Sequence, residues 1–420
     1  MTTSDDLWLI NVRWVSVDGT HQVGPIRLER GRLALGSTAE IPTNAKVVDG
    51  RGGLVFPGLV DPHVHLREPG RAYKEGIANG TAAALAGGVT TVLDMPNDQP
   101  PTTSPGLVAA KKRRFASQSV THFRLFQQAT MQGPTRVATD IAGAKVYLAR
   151  ASSAAPVTTV ARLSRIFAAF PLVAIHAELE EHLLAPTAGP HHLRRPVAAL
   201  TAGLTLVEEA LRRLPAGRRP RLVLCHVTGH AELAWLRRMK SEGFDVWGET
   251  CPHYLLLTQD DAVAAGAALQ VNPPLRNAQD RDALWAALQD GTIDFLATDH
   301  APHTPAEKAS PLPPSGVPGL EWLGPFLVTL AITGRISWRR AVELGCANAA
   351  SCYDLTGHSG LQEGCAANLA LYVDCRTALP VLTRAGYCPY PDFGFAVRVA
   401  ATFLDGEQRY CNHLLTGELQ

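Results

Sequence analysis

The sequence predicts an α/β protein, a (β/α)8 TIM barrel with a small β-sandwich accessory domain formed from both chain ends. Three observations predict this fold. Short apolar strands alternate with Ala- and Leu-rich helical stretches from Leu54 onward. Segments rich in β-branched and aromatic residues stand near both ends of the chain. A chain of 420 residues is also long enough for one large core and a smaller accessory domain.

The predicted barrel strands are short apolar runs, and their alternation with helices implies parallel strands joined by helical crossovers. We predict strands at Leu54–His65, Val89–Met95, His122–Gln127, Ala144–Leu148, Leu172–Ala177, Arg221–Val227, Phe244–Glu249 and Ile293–Asp299. We predict helices at Lys74–Ala86, Ser104–Ala116, Thr158–Ala169, Ala198–Leu214, His230–Glu242, Asp280–Leu288, Gly319–Thr333 and Ser337–Cys346.

The two ends of the chain have the residue composition typical of β-strands. Leu7–Val17 is dense in β-branched and aromatic residues and leads into an Asp18-Gly19 turn. Strand-like segments return after Gly357, at Asn368–Val373 and Phe395–Phe403. We therefore expect residues 1–53 and 358–420 to form the two parts of the sandwich, and residues 54–357 to form the barrel.

Composition and charge exclude several functional classes. Lys and Arg number 39 and Asp and Glu number 38, so the net charge of +1 provides no overall field for nucleic acid or an anionic membrane. No apolar run reaches transmembrane length, and the polar N-terminus lacks the apolar segment of a signal peptide. The eight cysteines are scattered, as in a reduced protein. We expect a cytoplasmic protein that acts on a small molecule.

The segment Asp61-Pro-His-Val-His-Leu-Arg67 ends the first predicted strand with two histidines two residues apart. Side chains alternate between the faces of a strand, so His63 and His65 point the same way and can bind one metal ion. Arg67 shares this parity and lies at the carboxyl end of the strand, which is the active-site face of a barrel. Two satisfied core histidines are the alternative.

Further metal-binding side chains follow later apolar strands. Lys145 lies in an otherwise apolar strand, where an unpaired lysine is rare; its amine can react with carbon dioxide to form an anionic carbamate, although a lysine that extends from a strand end is the alternative. His176, His226 and Asp299 each follow an apolar run. Together with the first two histidines, these residues can hold two metals that share a bridging, nucleophilic hydroxide. A metal-bound carboxylate can then carry the proton to the leaving nitrogen.

Two segments resemble the signature motifs of dihydroorotases, which are cyclic amidohydrolases of the metal-dependent hydrolase superfamily. They are Gly58–Gly70 (GLVDPHVHLREPG) and Ala297–His303 (ATDHAPH). Other matching segments, in family order, are Gly80–Thr91, Asp94–Asn97, Ala174–Glu178, Cys225–Val227, Val271–Leu275 and Gly316–Glu321. The resemblance implies reversible cyclisation of N-carbamoyl-L-aspartate to L-dihydroorotate plus water, a step of de novo pyrimidine (UMP) biosynthesis.

The resemblance also implies a role for each matching position. The implied metal ligands are His63 and His65 for a first zinc, His176 and His226 for a second, carboxylated Lys145 as the bridge, and Asp299 as the catalytic, proton-shuttling ligand. The implied substrate-binding residues are Arg67, Asn97 and His303 for the free carboxylate, and Asn272, Pro318 and Gly319 for the wall around the pyrimidine ring.

Lys145 points to a subgroup of the family. Many bacterial members carry Asp at the bridging position, whereas the Gly-x-Lys-x-Tyr-Leu pattern is similar to the dihydroorotase domain of the animal multifunctional pyrimidine protein. That domain has been described with a third zinc near a Cys and a Glu, and Cys225 and Glu249 match those positions. A small buried cysteine is the alternative reading of Cys225.

The sequence departs from the family pattern at two places. Ala151 stands where the loop after the bridging lysine often offers a Thr to the substrate, and Ser152 or Ser153 is the expected substitute. Many relatives also carry a Glu in the helix near Arg195-Pro196, where this chain has Val197–Leu200. Neither change affects an expected metal ligand.

Two alternative functions compete with dihydroorotase activity. Hydantoinases and allantoinases share the barrel and the metal ligands but usually lack an Arg after the second histidine, so Arg67 favours a substrate with a carboxylate. A non-catalytic dihydroorotase-like partner of aspartate transcarbamoylase would have lost ligands, and none is lost here. We also expect a homo-oligomer, and a complex of the active enzyme with the transcarbamoylase is compatible with the sequence.

Overall fold

The computed structural model describes residues 6–36, 41–132, 136–151, 155–185 and 189–412. The strands in these ranges are β1 (Leu7–Ile10), β2 (Arg13–Val15), β3 (His21–Val23), β4 (Ile26–Glu29), β5 (Arg32–Leu35), β6 (Lys46–Asp49), β7 (Leu54–Pro57), β8 (Leu59–Val64), β9 (Val89–Asp94), β10 (His122–Gln128), β11 (Gly143–Tyr147), β12 (Leu172–His176), β13 (Arg221–Leu224), β14 (Val246–Thr250), β15 (Phe295–Leu296), β16 (Leu369–Asp374), β17 (Val397–Leu404) and β18 (Glu407–Cys411).

Helices connect the strands of the central sheet and complete the outer layer. The α-helices are α1 (Ile77–Ala86), α2 (Pro105–Gln118), α3 (Val160–Ala169), α4 (His191–Arg194), α5 (Val197–Arg212), α6 (His230–Ser241), α7 (Pro252–Leu256), α8 (Gln259–Ala265), α9 (Ala278–Asp290), α10 (Pro305–Lys308), α11 (Leu323–Ile332), α12 (Trp338–Val342) and α13 (Asn348–Cys352). A π-helical stretch at Glu343–Ala347 joins the last two helices. Short 3-10 turns lie at Ala72–Lys74, Glu180–His182, Ala216–Arg218, Gly266–Leu269 and Leu320–Trp322.

Strands β8 to β15 form one parallel sheet in which neighbours in the chain are neighbours in the sheet. The ends of this sheet meet through a parallel bridge between Val64 and His300, where the amide of His65 donates to the carbonyl of His300 over 2.8 Å. The sheet therefore closes into the predicted TIM barrel. Among the described residues, every helix is too short or too polar to cross a lipid bilayer.

The first predicted strand, Leu54–His65, is two strands that belong to different parts of the molecule. β7 pairs with β16 and β2 in the accessory domain, and the barrel begins with β8. The break lies at Gly58, whose amide donates to the Asn368 carbonyl and whose position leaves no room for a Cβ beside Thr90. The last predicted barrel strand, Ile293–Asp299, is reduced to β15 at the seam of the barrel.

The chain ends form the accessory sandwich. One sheet has the order β5-β4-β1-β6, and the other has the order β18-β17-β16-β7-β2-β3. Apolar side chains from both sheets, including Leu9, Leu28, Val55 and Phe403, pack in a shared core that is separate from the barrel core. Strands from both chain ends thus bury one another. All eight cysteines lie in the described ranges, and none forms a disulfide.

Candidate active site

The predicted metal ligands collect at the carboxyl ends of the barrel strands. His63 lies in β8, Lys145 in β11 and His176 at the end of β12, while His226 and Asp299 follow β13 and β15. Two of these residues have positive backbone φ angles, +42° for His226 and +46° for Asp299. Such angles are uncommon for residues other than glycine and often mark functional sites. Here they occur where the chain leaves the barrel.

His63, His65 and Asp299 form the first group of ligand atoms. The Oδ1 atom of Asp299 lies 3.0 Å from Nε2 of His65 and 3.4 Å from Nε2 of His63. Atoms that bind a tetrahedral zinc ion at 2.0–2.1 Å are about 3.3 Å from one another. The spacing of these three atoms therefore fits a shared metal ion.

The Nδ1 atoms of His63 and His65 form hydrogen bonds with other side chains of the site. Nδ1 of His63 makes a short hydrogen bond with the buried Glu249 carboxylate, and Nδ1 of His65 lies 2.6 Å from Oδ1 of Asn97. Each ring nitrogen that donates in this way leaves Nε2 as an acceptor, which is the form that binds metal. Asn97, predicted to bind the substrate carboxylate, thus also orients a histidine.

His176 and His226 form the second group. Nδ1 of His176 and Nε2 of His226 face each other across 3.1 Å. Nε2 of His176 lies 3.0 Å from the carboxylate of Glu178. This carboxylate fixes the ring and directs Nδ1 toward the cavity, in the arrangement expected for a metal-ligating histidine.

Lys145 lies beneath these two groups and is fully buried. Its Nζ donates to Sγ of Cys225 over 2.8 Å and stands 5.3 Å from the centre of the Tyr147 ring. No carboxylate of the described residues comes within 4.0 Å of Nζ. A buried ammonium without a carboxylate partner is costly, so the unmodified lysine is unfavourable at this position.

A further set of potential ligand atoms shares His63 with the first group. Side-chain atoms of His63, Cys225 and Glu249 are within 4.8 Å of one another, and all three residues are buried. Burial raises the pKa of Glu249 to about 7 and also raises the pKa of the Cys225 thiol. The structure thus brings together the two residues that were predicted to hold a third zinc.

The electrostatics of the site favour deprotonated ligands. Burial lowers the pKa of all four histidines, and lowers those of His63 and His226 most strongly. Burial acts to raise the pKa of Asp299, but the charge interaction with His63 and the hydrogen bond from His65 outweigh it and hold that pKa well below its ordinary range. Neutral imidazoles beside a carboxylate are the donor set that divalent transition metals prefer. The residues present therefore fit a metal centre.

A cavity of about 850 Å³ opens above these groups, and its wall carries several cationic side chains. Arg67, whose φ angle is +63°, reaches from the end of β8 to His303, with 3.1 Å between Nη2 and Nε2. Other cationic side chains of the wall are those of Arg71, Lys74, Arg150 and Arg195. The chain as a whole is almost neutral, so this local excess of positive charge selects for an anionic ligand.

The remaining predicted substrate residues differ in position. Asn272 lies in the cavity wall, and its Oδ1 is 2.9 Å from Nε2 of His191. Gly316 lines the cavity, whereas Pro318 and Gly319 are absent from its lining, and the amide of Gly319 donates to Nδ1 of His300. Ala151 also faces the cavity. Ser152 and Ser153, the predicted substitutes for a loop threonine, lie outside the described residues.

Three supporting side chains of the site were not predicted: those of Arg195, Glu178 and Tyr147. Arg195 makes paired hydrogen bonds with Glu178 while its Nη2 lies 3.4 Å from Nε2 of His176. Glu178 shares strand parity with His176, which is a signal that could have identified it. The buried hydroxyl of Tyr147, two residues after Lys145, faces the cavity and has no hydrogen-bond partner in the described part of the chain.

Comparison with known proteins gives the family of the chain. Residues 54–170 and 226–409 match the model of the amidohydrolase family. Dihydroorotase of Brevibacillus brevis is 35% identical over 82% of this chain and 84% of its own length. Dihydroorotase of Bacillus caldolyticus is 33% identical over 88% and 90%, and that of Thermus aquaticus is 36% identical over 80% and 82%.

Solved structures agree on the architecture. The L-hydantoinase of Arthrobacter aurescens superposes with a TM-score of 0.84 over 96% of this chain and 95% of its own, at 25% identity. A dihydropyrimidinase from Brevibacillus agri gives a TM-score of 0.81 over 96% and 94%, at 21% identity, which is similarity of fold alone. The chain belongs to the amidohydrolase family and, within it, to the dihydroorotases.

Proposed function

We propose that this chain is a dihydroorotase, which reversibly cyclises N-carbamoyl-L-aspartate to L-dihydroorotate plus water in de novo pyrimidine biosynthesis. One observation carries the proposal: side chains that could hold metal ions adjoin Arg67 and His303 in a cationic cavity. Metal ions held by these side chains would support hydrolysis of an amide. The hydrogen-bond donors of Arg67 and His303 suit a substrate that carries a free carboxylate.

The metal centre would contain two zinc ions per chain. His63 and His65 would hold one, His176 and His226 the other, and a carboxylated Lys145 would bridge them. Two such cations would polarise the reacting carbonyl group and lower the pKa of a shared water. The burial of Lys145 without a carboxylate partner in the described residues supports its carboxylation.

A third zinc bound by Cys225 and Glu249, together with Nδ1 of His63, is a secondary proposal. The close grouping of the three side chains supports it. The competing role for Glu249 is to orient His63 through their hydrogen bond. Metal content in Cys225→Ala decides between them: an unchanged number of metals per chain would remove the third site.

The protein groups contribute binding and proton transfer. Arg67 would hold the free carboxylate of the substrate with two parallel hydrogen bonds, next to His303 and Asn97. In ring closure the ureido nitrogen attacks the side-chain carboxyl carbon and Asp299 takes the proton from that nitrogen. A carboxyl C–O bond then breaks, and the oxygen leaves as water with that proton and a second one from solvent. In hydrolysis water adds to the ring carbonyl carbon, the C–N bond breaks, and Asp299 returns the proton to nitrogen.

The test combines metal analysis with ring opening of dihydroorotate, followed by its ultraviolet absorbance, on protein grown with zinc and bicarbonate. About two metals per chain and an activity that falls in Lys145→Ala would support both the site and the substrate. Two metals without activity on dihydroorotate would keep the site and assign another cyclic amide. Little metal and no activity would favour a non-catalytic partner of aspartate transcarbamoylase.

The same assay separates the nearest alternative, a hydantoinase or allantoinase. Dihydrouracil and allantoin, which lack the carboxylate of dihydroorotate, are run beside it. Arg67→Ala should mainly raise KM for dihydroorotate, because it removes a charged partner of that carboxylate. An unchanged KM would contradict the assignment of Arg67.

We further propose that the protein is a cytoplasmic homo-oligomer and that the active enzyme can bind aspartate transcarbamoylase. The unpaired state of all eight cysteines supports a reducing compartment. Co-purification of the two enzymes is the test of the complex. Clean separation at physiological salt would exclude a stable one.

A further inference from the structure

A partly buried cluster of polar groups lines the cavity and links Arg67 to the loop after β15. It consists of Arg67, Lys74, His303, Glu307 and the carbonyl of Ser315. Nζ of Lys74 lies 3.0 Å from Nδ1 of His303 and 2.8 Å from the Glu307 carboxylate. Nε2 of His303 lies 3.0 Å from the carbonyl oxygen of Ser315 and 3.1 Å from Nη2 of Arg67.

The donors and acceptors of this cluster favour one arrangement of protons on the imidazole, because it satisfies two of the three contacts of the ring and the other arrangement satisfies one. An ammonium group only donates, so Nδ1 of His303 must accept from Lys74. The ring proton is then on Nε2, which donates to Ser315. A guanidinium group also only donates, so Arg67 cannot form a hydrogen bond with that protonated nitrogen.

Arg67 is therefore left with donors that no described side chain satisfies. Its Nε is buried and without a partner in the described residues, and Nη2 faces the N–H of His303. Because the Nε2–H group of His303 already donates to the Ser315 carbonyl, the guanidinium donors of Arg67 require another acceptor. A substrate carboxylate meets that requirement, and the arrangement depends on the proton being on Nε2.

Glu307 could stabilise the other tautomer of His303, in which the ring proton is on Nδ1. Its Oε2 atom lies 3.6 Å from Nδ1 of His303, so without Lys74 it is the nearest acceptor for a proton on that nitrogen. A proton on Nδ1 would leave Nε2 with a lone pair that accepts from Arg67. The substrate carboxylate would then compete with His303 for the guanidinium group.

We propose that Lys74 is a positioning residue, which holds His303 in the Nε2-protonated form and thereby reserves Arg67 for the substrate carboxylate. The inference rests on the proposed function. The loop itself has other anchors: Nζ of Lys308 donates to the carbonyl groups of Ala267, Gln270 and Pro314. Loss of Lys74 should therefore change the histidine more than the loop.

The first experiment compares kcat and KM for dihydroorotate in wild type, Lys74→Met and Lys74→Arg. Lys74→Met should raise KM about tenfold or more while kcat changes by less than about threefold, because only the hold on the carboxylate weakens. Lys74→Arg keeps a group that can only donate, and should recover most of the loss. Lys112→Met makes the same substitution at an exposed site on α2 and is the matched control.

The second experiment measures the ring protonation of His303 directly, by ¹⁵N NMR of histidine-labelled protein with the signal assigned through His303→Gln. Lys74→Met should move the proton from Nε2 to Nδ1, and Lys74→Arg should leave it on Nε2. A proton that stays on Nε2 in Lys74→Met would overturn the proposal, and a raised KM would then indicate direct contact between Lys74 and the substrate.

Tyr73→Phe tests whether loosening of the loop explains the effect. The Tyr73 hydroxyl donates to Glu307 over 2.9 Å but does not contact His303. If Tyr73→Phe raises KM as much as Lys74→Met, loop anchoring is the cause and the proposal fails. If wild type does not turn over dihydroorotate, the proposed function fails, whereas the NMR experiment still decides the role of Lys74.

Discussion

The surroundings of Asp299 suit this carboxylate to accept and return a proton. It follows the shortest barrel strand, lies within 3.4 Å of two histidines and has a pKa held well below its ordinary range. Asp299→Ala should lower kcat by about 10³-fold, in the range for loss of general acid–base catalysis, and should leave much of the substrate affinity. Steady-state kinetics with metal analysis checks this. A near-normal kcat would contradict the proton-shuttle role.

His253 is a buried histidine outside the metal ligands, and neither of its ring nitrogens has a partner in the described residues. Burial lowers its pKa to about 4. Below pH of about 6.5 the unfolded chain takes up a proton at this residue and the folded chain does not, so its contribution to stability is lost as the pH falls.

His253→Phe removes this penalty. Relative to wild type, the variant should gain about 2 kcal/mol in free energy of unfolding between pH 7.5 and pH 5.0. Urea unfolding of both proteins at the two pH values measures the gain. A difference between the proteins that does not change with pH would show that His253 is not held neutral.

Some features of single residues follow from the local sequence, and others depend on contacts between elements. The shared orientation of His63 and His65 follows from strand periodicity, so the sequence predicts it. Lys74 and Arg195 form ion pairs with residues of other elements, Glu307 and Glu178. No local pattern marks those contacts, because they form only when the loops at the barrel mouth meet.

At the scale of elements, the alternation of strands and helices predicts which elements exist better than where they end. The strand predicted at Leu172–Ala177 corresponds to β12, whereas the segment Leu54–His65 splits. Both halves of that segment are buried throughout, so their burial pattern cannot reveal that they pair with different sheets. The partner of the first half, β16, comes more than 300 residues later in the chain.

Helix α5 packs against the end of β12 at Gly203. A Cβ at this position would lie 1.7 Å from the carbonyl oxygen of Ala177, which separates His176 from Glu178. Gly203→Ala should therefore push the helix away, lower the free energy of unfolding by roughly 1–3 kcal/mol and reduce activity through displacement of His176.

Gly106 in α2 is the matched control, because a Cβ there has no neighbour within 4 Å among the described residues. Gly106→Ala should leave activity unchanged and raise the free energy of unfolding by up to about 1 kcal/mol, from helix propensity. Urea unfolding and kcat of both variants make the comparison. Equal stability changes would mean that the contact between α5 and β12 does not limit helix packing.

At the scale of the whole molecule, the barrel buries a cluster of polar side chains, and this burial costs solvation free energy. Four histidines and Asp299 are nearly buried, and Lys145 is fully buried. The sandwich contributes none of these residues, and its core is separate. Folding therefore desolvates the predicted metal ligands, and a bound cation would compensate this cost, so we expect the stability of the whole chain to depend on metal binding.

Removal of metal should consequently destabilise the entire protein. A ligand at about 1,000 times its Kd stabilises the folded state by about 4 kcal/mol, which corresponds to roughly 5 °C in Tm for a chain of this size. Thermal unfolding with zinc and bicarbonate, and again after chelation, measures the difference. An identical Tm in the two conditions would contradict tight metal binding by the folded chain.

Lys145→Met tests the proposed bridging carbamate separately from the other predicted metal ligands. Methionine is similar in size and removes a buried amine that has no carboxylate within 4.0 Å in the described residues, so the chelated variant should be at least as stable as chelated wild type. The stabilisation by zinc and bicarbonate should shrink, because the carbamate is lost. If zinc raises the Tm of both proteins equally, Lys145 is not a metal ligand, and the histidines and Asp299 alone account for metal binding.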